Sequence, residues 1–366
     1  MQNGNFLNNR NSKFLFMFLL VVQGVGAYGL FDSRPYLTPA DVPETSIYIN
    51  WISALPESSV LAYGVDSTLK DTLVSDRLVH FHHIELSGLE PGTRYFYRVL
   101  PDSDLYTFRT FPKNADTFTF IAFGDTRSDS QAHHAVINQI SNYDFDFLVH
   151  TGDLVNEGGD TTDWCTFFNI EDTVISCKQF IPAIGNHEYP FWFYDSAFAL
   201  PGKEDYYRVD YGNARIFVLN TETDIYGEQY EWLVKNLEET AQDTLIDWTF
   251  AVFHRPPYSS GSHGSRLKVR EKWCVIFEKY NVDLVFNGHD HSYERTRPIN
   301  GVVYVVTGGG GAPLYGVSNS SWTAASTNKY HFCVIDIKDD RLEFYAVDTA
   351  GVVFDSLLID KKNKER

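Results

Sequence analysis

Five short segments place metal-binding residue types at the ends of apolar runs: Phe123-Gly124-Asp125, Thr151-Gly152-Asp153, Gly185-Asn186-His187-Glu188, Phe253-His254 and Gly288-His289-Asp290-His291. Carboxylates, an amide carbonyl and neutral imidazoles form a mixed oxygen and nitrogen set without thiolate, which suits borderline divalent ions such as zinc, manganese or iron. A lone Gly-Asp turn is usually only a turn. Turns unrelated in function have no reason to carry Asp, Asn and His in five places. Six candidate ligands, Asp125, Asp153, Asn186, His254, His289 and His291, are too few for two separate complete shells. Two ions here need a shared carboxylate, and Asp153 is the candidate. Paired ions of this kind activate water and clamp phosphoryl oxygens.

The segments follow runs rich in β-branched and aromatic residues, at 118–123, 145–149, 180–184, 250–253 and 282–286, which read as buried strands. Their ligands would gather on loops at the carboxyl ends of neighbouring strands, where open α/β sheets bind ligands. Tyr230, Leu233, Val234 and Leu237 recur at helical spacing, and residues 267–277 do so less cleanly. Residues 160–179 read as partly helical cover, and the aromatics of 190–195 as a wall for a substrate pocket. Gly308 to Gly311 reads as a strand-end turn approaching the site, since no Lys-Ser or Lys-Thr follows to make a phosphate-cradling loop. Ahead of all this, residues 36–112 form short alternating strands with turn signals, clearest at 46–51, 60–63, 80–86, 94–100 and 105–110. His80, His82 and His83 read as ordinary strand residues, His133 and His134 as members of a surface helix, and His150 as a satisfied core histidine.

The segment Gly288-His289-Asp290-His291-Ser292-Tyr293-Glu294-Arg295, with His254-Arg255-Pro256-Pro257-Tyr258 and the Asp segments before it, resembles the calcineurin-like metallophosphoesterases and, among them, the purple acid phosphatase branch. The resemblance runs from about Tyr36 to Ile359. The phrase Leu86-Ser-Gly-Leu-Glu-Pro-Gly-Thr-Arg-Tyr-Phe-Tyr-Arg98 is similar to a fibronectin-type-III module. The fold implied is two domains: an all-β sandwich at 36–112 and an α/β metallophosphoesterase domain, an αββα sandwich, at 118–360.

The function implied is hydrolysis of small phosphate monoesters by a metal-activated hydroxide, with two divalent ions of iron, zinc or manganese. Asp125, Asp153 and His291 would hold one ion, and Asp153, Asn186, His254 and His289 the other. His187 would face the substrate as general acid, with His263 a second candidate for that work. Arg127 would contact phosphate oxygens, and Glu188 would orient a metal-bound histidine. Two positions depart from the family pattern. A Tyr that binds ferric iron is expected three residues after the shared Asp, where Asn156 stands, and a His is often found two residues after the first Asp, where Arg127 stands. Both departures thin the shell of the first ion and favour a divalent metal completed by water or by Asn156. Two other readings are a phosphodiesterase of the same superfamily and an inert cell-surface binding protein whose β module is the working part.

Composition narrows the partners. With 48 Asp and Glu against 30 Lys and Arg, the formal net charge is -18, which disfavours nucleic acid and repels phosphorylated substrates at long range. Local positive potential must therefore come from the site itself. Arg10 and Lys13 precede the apolar stretch 14–22 and small residues up to Ala27, a pattern that fits a secretory signal at 1–27, with an uncleaved anchor as the competing reading although nine apolar residues fall short of the roughly 20 a membrane helix needs. Its removal, with two basic and no acidic residues, would take the charge from -18 to -20 and leave a secreted chain with no stable membrane association. Cys165 and Cys177 are the expected disulfide, closing a loop at a gain of about 3 kcal/mol, while Cys274 and Cys333 read as buried thiols. Asn319-Ser320-Ser321 is a glycosylation sequon for a eukaryotic host.

Overall fold

Runs of Val, Ile and Phe with no polar alternation need cover on both faces, and strands sandwiched between other layers supply it. The computed structural model describes residues 29–363, so the expected signal segment lies outside the described residues. The amino-terminal module comprises β1 (Tyr36–Pro39), β2 (Ser46–Gly64), β3 (Asp71–Ser87), β4 (Arg94–Val99) and β5 (Tyr106–Arg109). There follow β6 (Thr117–Phe123), α1 (Ser130–Ile140), β7 (Phe147–His150), α2 (Thr161–Ile175), β8 (Gln179–Pro182), α3 (Trp192–Ala197), β9 (Tyr207–Tyr211) and β10 (Ala214–Val218). After α4 (Glu228–Thr240) and β11 (Trp248–Val252) comes a helical stretch, Leu267–Val269 and Val275–Lys279 joined by a π turn at Arg270–Cys274. The chain then forms β12 (Leu284–Asn287), β13 (Tyr293–Thr296), β14 (Val303–Thr307), β15 (Thr323–Thr327), β16 (His331–Lys338), β17 (Arg341–Asp348) and β18 (Val353–Asp360).

Two sheets pack face to face. In the first, β6, β7 and β8 run parallel and β16, β17 and β18 extend the sheet antiparallel beyond β6. In the second, β10, β11, β12 and β14 are parallel, with antiparallel strands at both edges. Phe120 joins the sheets, meeting Phe250 edge-on at 5.1 Å and Phe286 at 6.0 Å. Helices α1 and α2 back the first sheet, each started by an aspartate whose side chain accepts from first-turn amides, Asp129 from Gln131 and Ala132 and Asp160 from Thr162. Leu233 and Leu237 of α4 and Trp273 and Phe277 of the later helical stretch pack on Phe217 and Phe253 behind the second sheet. The arrangement is the expected helix–sheet–sheet–helix sandwich.

The amino-terminal module is less separate than its sequence suggests. β1 pairs antiparallel with β2 and touches β8 in parallel at Leu37 and Gln179, so the module shares one 11-stranded sheet with β6–β8 and β16–β18. The runs at 46–51 and 60–63 belong to a single 19-residue strand, β2. Register slips between Ile52 and Ser59, where Ala54-Leu55-Pro56 interrupts the alternation and bulges the strand. Leu37, Ile47, Trp51, Leu61, Tyr97 and Phe108 form the module's own core.

His82 lies parallel to Trp51 at 4.5 Å, with its two ring nitrogens taken by the hydroxyls of Ser53 and Ser59. His133 is not on the surface: α1 turns it inward, 2.7 Å from the buried Glu171 of α2. Cys165 and Cys177 are both free. One sits early in α2 and the other just past its end, and 12 helical residues at about 1.5 Å rise put them roughly 18 Å apart, far beyond disulfide reach. Lys361, just past β18, is anchored to Asp283 at 2.7 Å and lies over Trp248.

His331 supplies a pH prediction. It is buried between the Thr307 hydroxyl and the Lys329 carbonyl, and burial lowers its pKa to about 4. The unfolded chain, with an ordinary imidazole near pH 6.5, takes the proton first, so folding stability falls as pH drops from about 6.5 to about 4. The slope from one such group is at most about 1.4 kcal/mol per pH unit. Urea titrations at stepped pH should show this loss, and His331→Gln should flatten it; an unchanged slope in the variant overturns the assignment.

Candidate metal centre

The carboxyl ends of strands from both sheets converge on one cleft. Asp125 and Asp153 follow β6 and β7, and Asn186 opens a short 3-10 turn, Asn186–Glu188, after β8. His254 follows β11, and His289 and His291 follow β12. The ligand-type residues thus come three from each sheet, not from neighbouring strands of one open sheet as the sequence suggested. Asp125 and Asp153 both have φ of 57°, and His289 has 71°. Non-glycine residues in this region store strain that only a tightly determined surrounding holds. The glycine before Asn186 is part of that surrounding: a Cβ on Gly185 would strike the Asp153 carboxylate.

The side chains form two groups that share Asp153. Asp153, His254 and His289 offer donor atoms all within 4.8 Å of one another, and so do Asp125, Asp153 and His291. His254 Nε2 stands 3.2 Å from Asp153 Oδ1 and 3.1 Å from His289 Nδ1, while its Nδ1 faces the Thr151 carbonyl at 3.0 Å. His291 Nδ1 faces the Pro313 carbonyl at 2.8 Å, which leaves Nε2 as the free lone pair, 3.5 Å from Asp125 Oδ1. Carbonyl partners of this kind fix which imidazole nitrogen can ligate. Asn186 Oδ1 is buried with no hydrogen-bond partner. An orphaned buried acceptor fits a cation, because an unpaired buried carbonyl is otherwise costly. The donor set therefore fits divalent metal.

The electrostatics are those of crowded, desolvated charge. Burial raises the pKa of Asp125 well above the ordinary carboxylate range, with the neighbouring Asp153 adding to it. Burial also opposes ionisation of Asp153, but His254 and His187 outweigh it and hold that carboxyl below its usual range. Burial opposes charge on His254 too, yet Asp153 and Asp125 push its pKa up to about 10. Burial and the cations around it lower His289 to about 2, and burial lowers His291 to about 4.

Glu188 does not orient a metal-type histidine. Its carboxylate accepts from the backbone N–H groups of Gly185 at 2.7 Å, Leu154 at 2.8 Å, Asp153 at 3.0 Å and Val155 at 3.4 Å, so it fastens the two ligand loops to each other. Burial, then Asp153, raises its pKa to about 7. Glu188→Ala would leave these buried amides unpaired at about 1–3 kcal/mol each. A stability loss of roughly 4 kcal/mol or more is expected in urea unfolding; a loss under about 1 kcal/mol would refute the fastening role.

The remaining candidates surround the centre. His187 donates its backbone N–H to Asp153 Oδ1 at 3.0 Å, and its ring Nδ1 lies 2.6 Å from the Asn156 carbonyl. Its Nε2 is 3.9 Å from Asp153 Oδ2. His263 is exposed and packs its ring 4.4 Å from that of His289, its own amide held by Asp290 Oδ1 at 2.7 Å. Arg127 reaches Asp153, His291 and Asn156 together. The Asn156 side chain accepts from Arg127 at 3.3 Å and Ser128 at 3.0 Å, so its carbonyl oxygen is spent on them and not on the ligand groups. Gly308 packs against the Asp290 carbonyl and Asp125, consistent with a turn approaching the site.

Tyr315, which carries no sequence signal, stacks on His291 at 4.2 Å. It shares no motif with the ligands, and only the tertiary fold brings it there. Tyr293 points away, its hydroxyl on Asp355 at 2.5 Å. With Asn at 156 and Tyr293 so engaged, the purified protein should be colourless; an intense visible band would show a tyrosinate on ferric iron and overturn this ligand geometry.

Comparison with known proteins agrees with this geometry. The sequence profile described as calcineurin-like phosphoesterase matches residues 118–293, and that of the purple acid phosphatase N-terminal domain matches 33–120. Purple acid phosphatase 21 of Arabidopsis thaliana is 28% identical over 256 residues, covering 63% of this chain and 58% of its own length. Acid phosphatase type 7 of Homo sapiens is 25% identical over 392 residues, covering 88% of this chain and 89% of its own. The chain thus spans little more than half the length of the plant relative. In fold, purple acid phosphatase PPD1 from yellow lupin seeds superposes with a TM-score of 0.80 at 21% identity, over 91% of this chain and 74% of the lupin chain. The chain thus carries a calcineurin-like metallophosphoesterase domain behind a purple acid phosphatase N-terminal domain, and it resembles the purple acid phosphatases in both.

Proposed function

We propose that the chain is an exported, metal-dependent hydrolase of phosphate monoesters, of the acid phosphatase type, acting on small phosphorylated substrates. One observation carries the reading: five ligand-type side chains from loops of both sheets form two donor groups that share Asp153, and Asn186 Oδ1, on the turn after β8, is buried with no hydrogen-bond partner. Asp153, Asn186, His254 and His289 would hold one divalent ion, and Asp125, Asp153 and His291 a second. Ions so placed supply a strong nucleophile from water near neutral pH and neutralise phosphoryl oxygens.

The chain's own residues then divide the remaining work. His187 presents ring Nε2 toward the shared carboxylate and can pass a proton to the leaving oxygen. Arg127 supplies a fixed positive charge at the same edge, where a phosphoryl group needs it against a formal net charge of -18. His263 flanks His289 from the solvent side, where it can bond a phosphoryl oxygen or the leaving group. Tyr189 and Trp192, both exposed beyond His187, offer apolar surface to the alcohol portion of a substrate. The relatives' names support acid phosphatase chemistry, and the expected signal at 1–27 supports export.

The direct test measures metal content of the purified protein alongside hydrolysis of chromogenic phosphate monoesters and diesters. Bound divalent metal with faster monoester cleavage is the expected result. Much faster diester cleavage would replace the reading with a phosphodiesterase, and bound metal without hydrolysis of either would favour the inert binding protein.

A further inference from the structure

The two donor groups are not equivalent, because in one of them a guanidinium of the chain stands at a ligating atom. The Arg127 guanidinium places Nη2 3.3 Å from His291 Nε2 and Nε 3.5 Å from Asp153 Oδ2. Its Nη1 is tied to Asn156 Oδ1 at 3.3 Å and to the Ser128 hydroxyl at 3.1 Å, so hydrogen bonds from both terminal nitrogens orient the planar group. The decisive atom is His291 Nε2. With Nδ1 facing the Pro313 carbonyl, Nε2 is the only lone pair that ring can give a metal, and an arginine that never deprotonates points a donor at it.

The other group has no guanidinium at an atom expected to ligate. Asn186 Oδ1 has no hydrogen-bond partner, and His254 Nε2, Asp153 Oδ1 and His289 Nδ1 face one another with no arginine or lysine of the described residues bonded to them, so a metal there has to displace only the proton on His254. Arg255 also touches a ligand-type ring, but it acts on His289 Nε2 at 3.0 Å, the nitrogen opposite the one facing His254, and its guanidinium is locked on Glu222.

We infer that Arg127 is a built-in occupant of the Asp125/Asp153/His291 position, so the protein holds one divalent ion tightly, at Asp153, Asn186, His254 and His289, and a second only by displacing the guanidinium. This deepens the metal-dependent reading above and rests on it. The positive charge near a bound phosphoryl group is then one metal ion plus one arginine, with Asn156 as the anchor that keeps the arginine in place.

The test uses full-length protein stripped with chelator and titrated with manganese, read by calorimetry and by electron paramagnetic resonance. Wild type should take one tight equivalent and a second at least about tenfold more weakly, a gap of about 1.4 kcal/mol, with the spectrum of an isolated ion at one equivalent. Arg127→Gln, which keeps an amide to bond Asn156, should bring the second affinity within about threefold of the first, a gap of about 0.65 kcal/mol, and show a spin-coupled pair. Two equal equivalents and a coupled pair in wild type overturn the inference without needing any variant, as does a single equivalent in a folded Arg127→Gln protein. Phosphomonoester hydrolysis on the same samples separates the two readings. One tight ion with no hydrolysis removes the phosphatase function and leaves Arg127's role standing, whereas two equal ions with full hydrolysis do the reverse.

Discussion

Asp153→Ala should strip the protein of its metal and lower phosphomonoester turnover by at least about 10³-fold, since the ion's contribution is several kcal/mol and each 1.36 kcal/mol is tenfold in rate. Asp153 is the one carboxylate common to both donor groups. Its Oδ1 lies 3.2 Å from His254, its Oδ2 lies 3.5 Å from Arg127, and it accepts the His187 amide. Its loss therefore also leaves His254 without the carboxylate that holds its charge, so both metal affinity and the arrangement of neighbours fail together. The informative control is His187→Ala, which keeps the backbone N–H that bonds Asp153 and should retain metal while losing turnover. Metal analysis of both variants, with circular dichroism to verify folding, checks the pair. Equal metal loss in the two would show that the roles assigned to Asp153 and His187 are wrong.

What the sequence made legible follows from how local each cause is. The ligand segments are short, and each sits where an uninterrupted apolar run ends, so both the strand and its terminal Asp or His can be read within a few residues. The α4 stripe of Leu233 and Leu237 is equally local, since one face of a helix repeats within two turns. What escaped was set by partners distant in sequence. β1 joins the catalytic sheet through β8, which lies 140 residues further on, and no periodicity within residues 36–39 announces it. His133 reads as a surface residue on its own helix, and only Glu171 of α2 explains its burial. Glu188 stands next to a ligand-type segment, and so invited a role on a histidine; its carboxylate instead collects amides from two loops. Arg127 was visible as a departure from a family pattern, but whether it faces substrate or the ligand groups depends on where His291 and Asn156 end up. Tyr315 had no signal at all.

His187→Ala is expected to lower the rate by about 10²–10⁴-fold for esters of alkyl alcohols and by much less for esters of acidic phenols, because a good leaving group departs without a proton. The geometry gives the reason. Ring Nδ1 lies 2.6 Å from the Asn156 carbonyl and is fixed by it, which leaves Nε2 to face the centre, 3.9 Å from Asp153 Oδ2, on a ring open enough to meet substrate. A group whose only task was to position Asp153 would slow all esters alike, since that carboxylate acts before the leaving group is chosen. The wild-type pH–rate profile should be bell-shaped, with a low-pH limb from protonation of the ligand set and a high-pH limb from loss of the acid. In the variant the high-pH limb should flatten while the low-pH limb stays, because the six ligand-type residues are untouched. Measuring kcat/KM over a series of monoesters with graded leaving groups, at several pH values, reads both effects in one experiment. A steeper dependence on leaving group together with a flattened high-pH limb assigns the acid to His187. A uniform loss with an unchanged profile would move that role to His263, the other imidazole at the rim, packed 4.4 Å from the ring of His289.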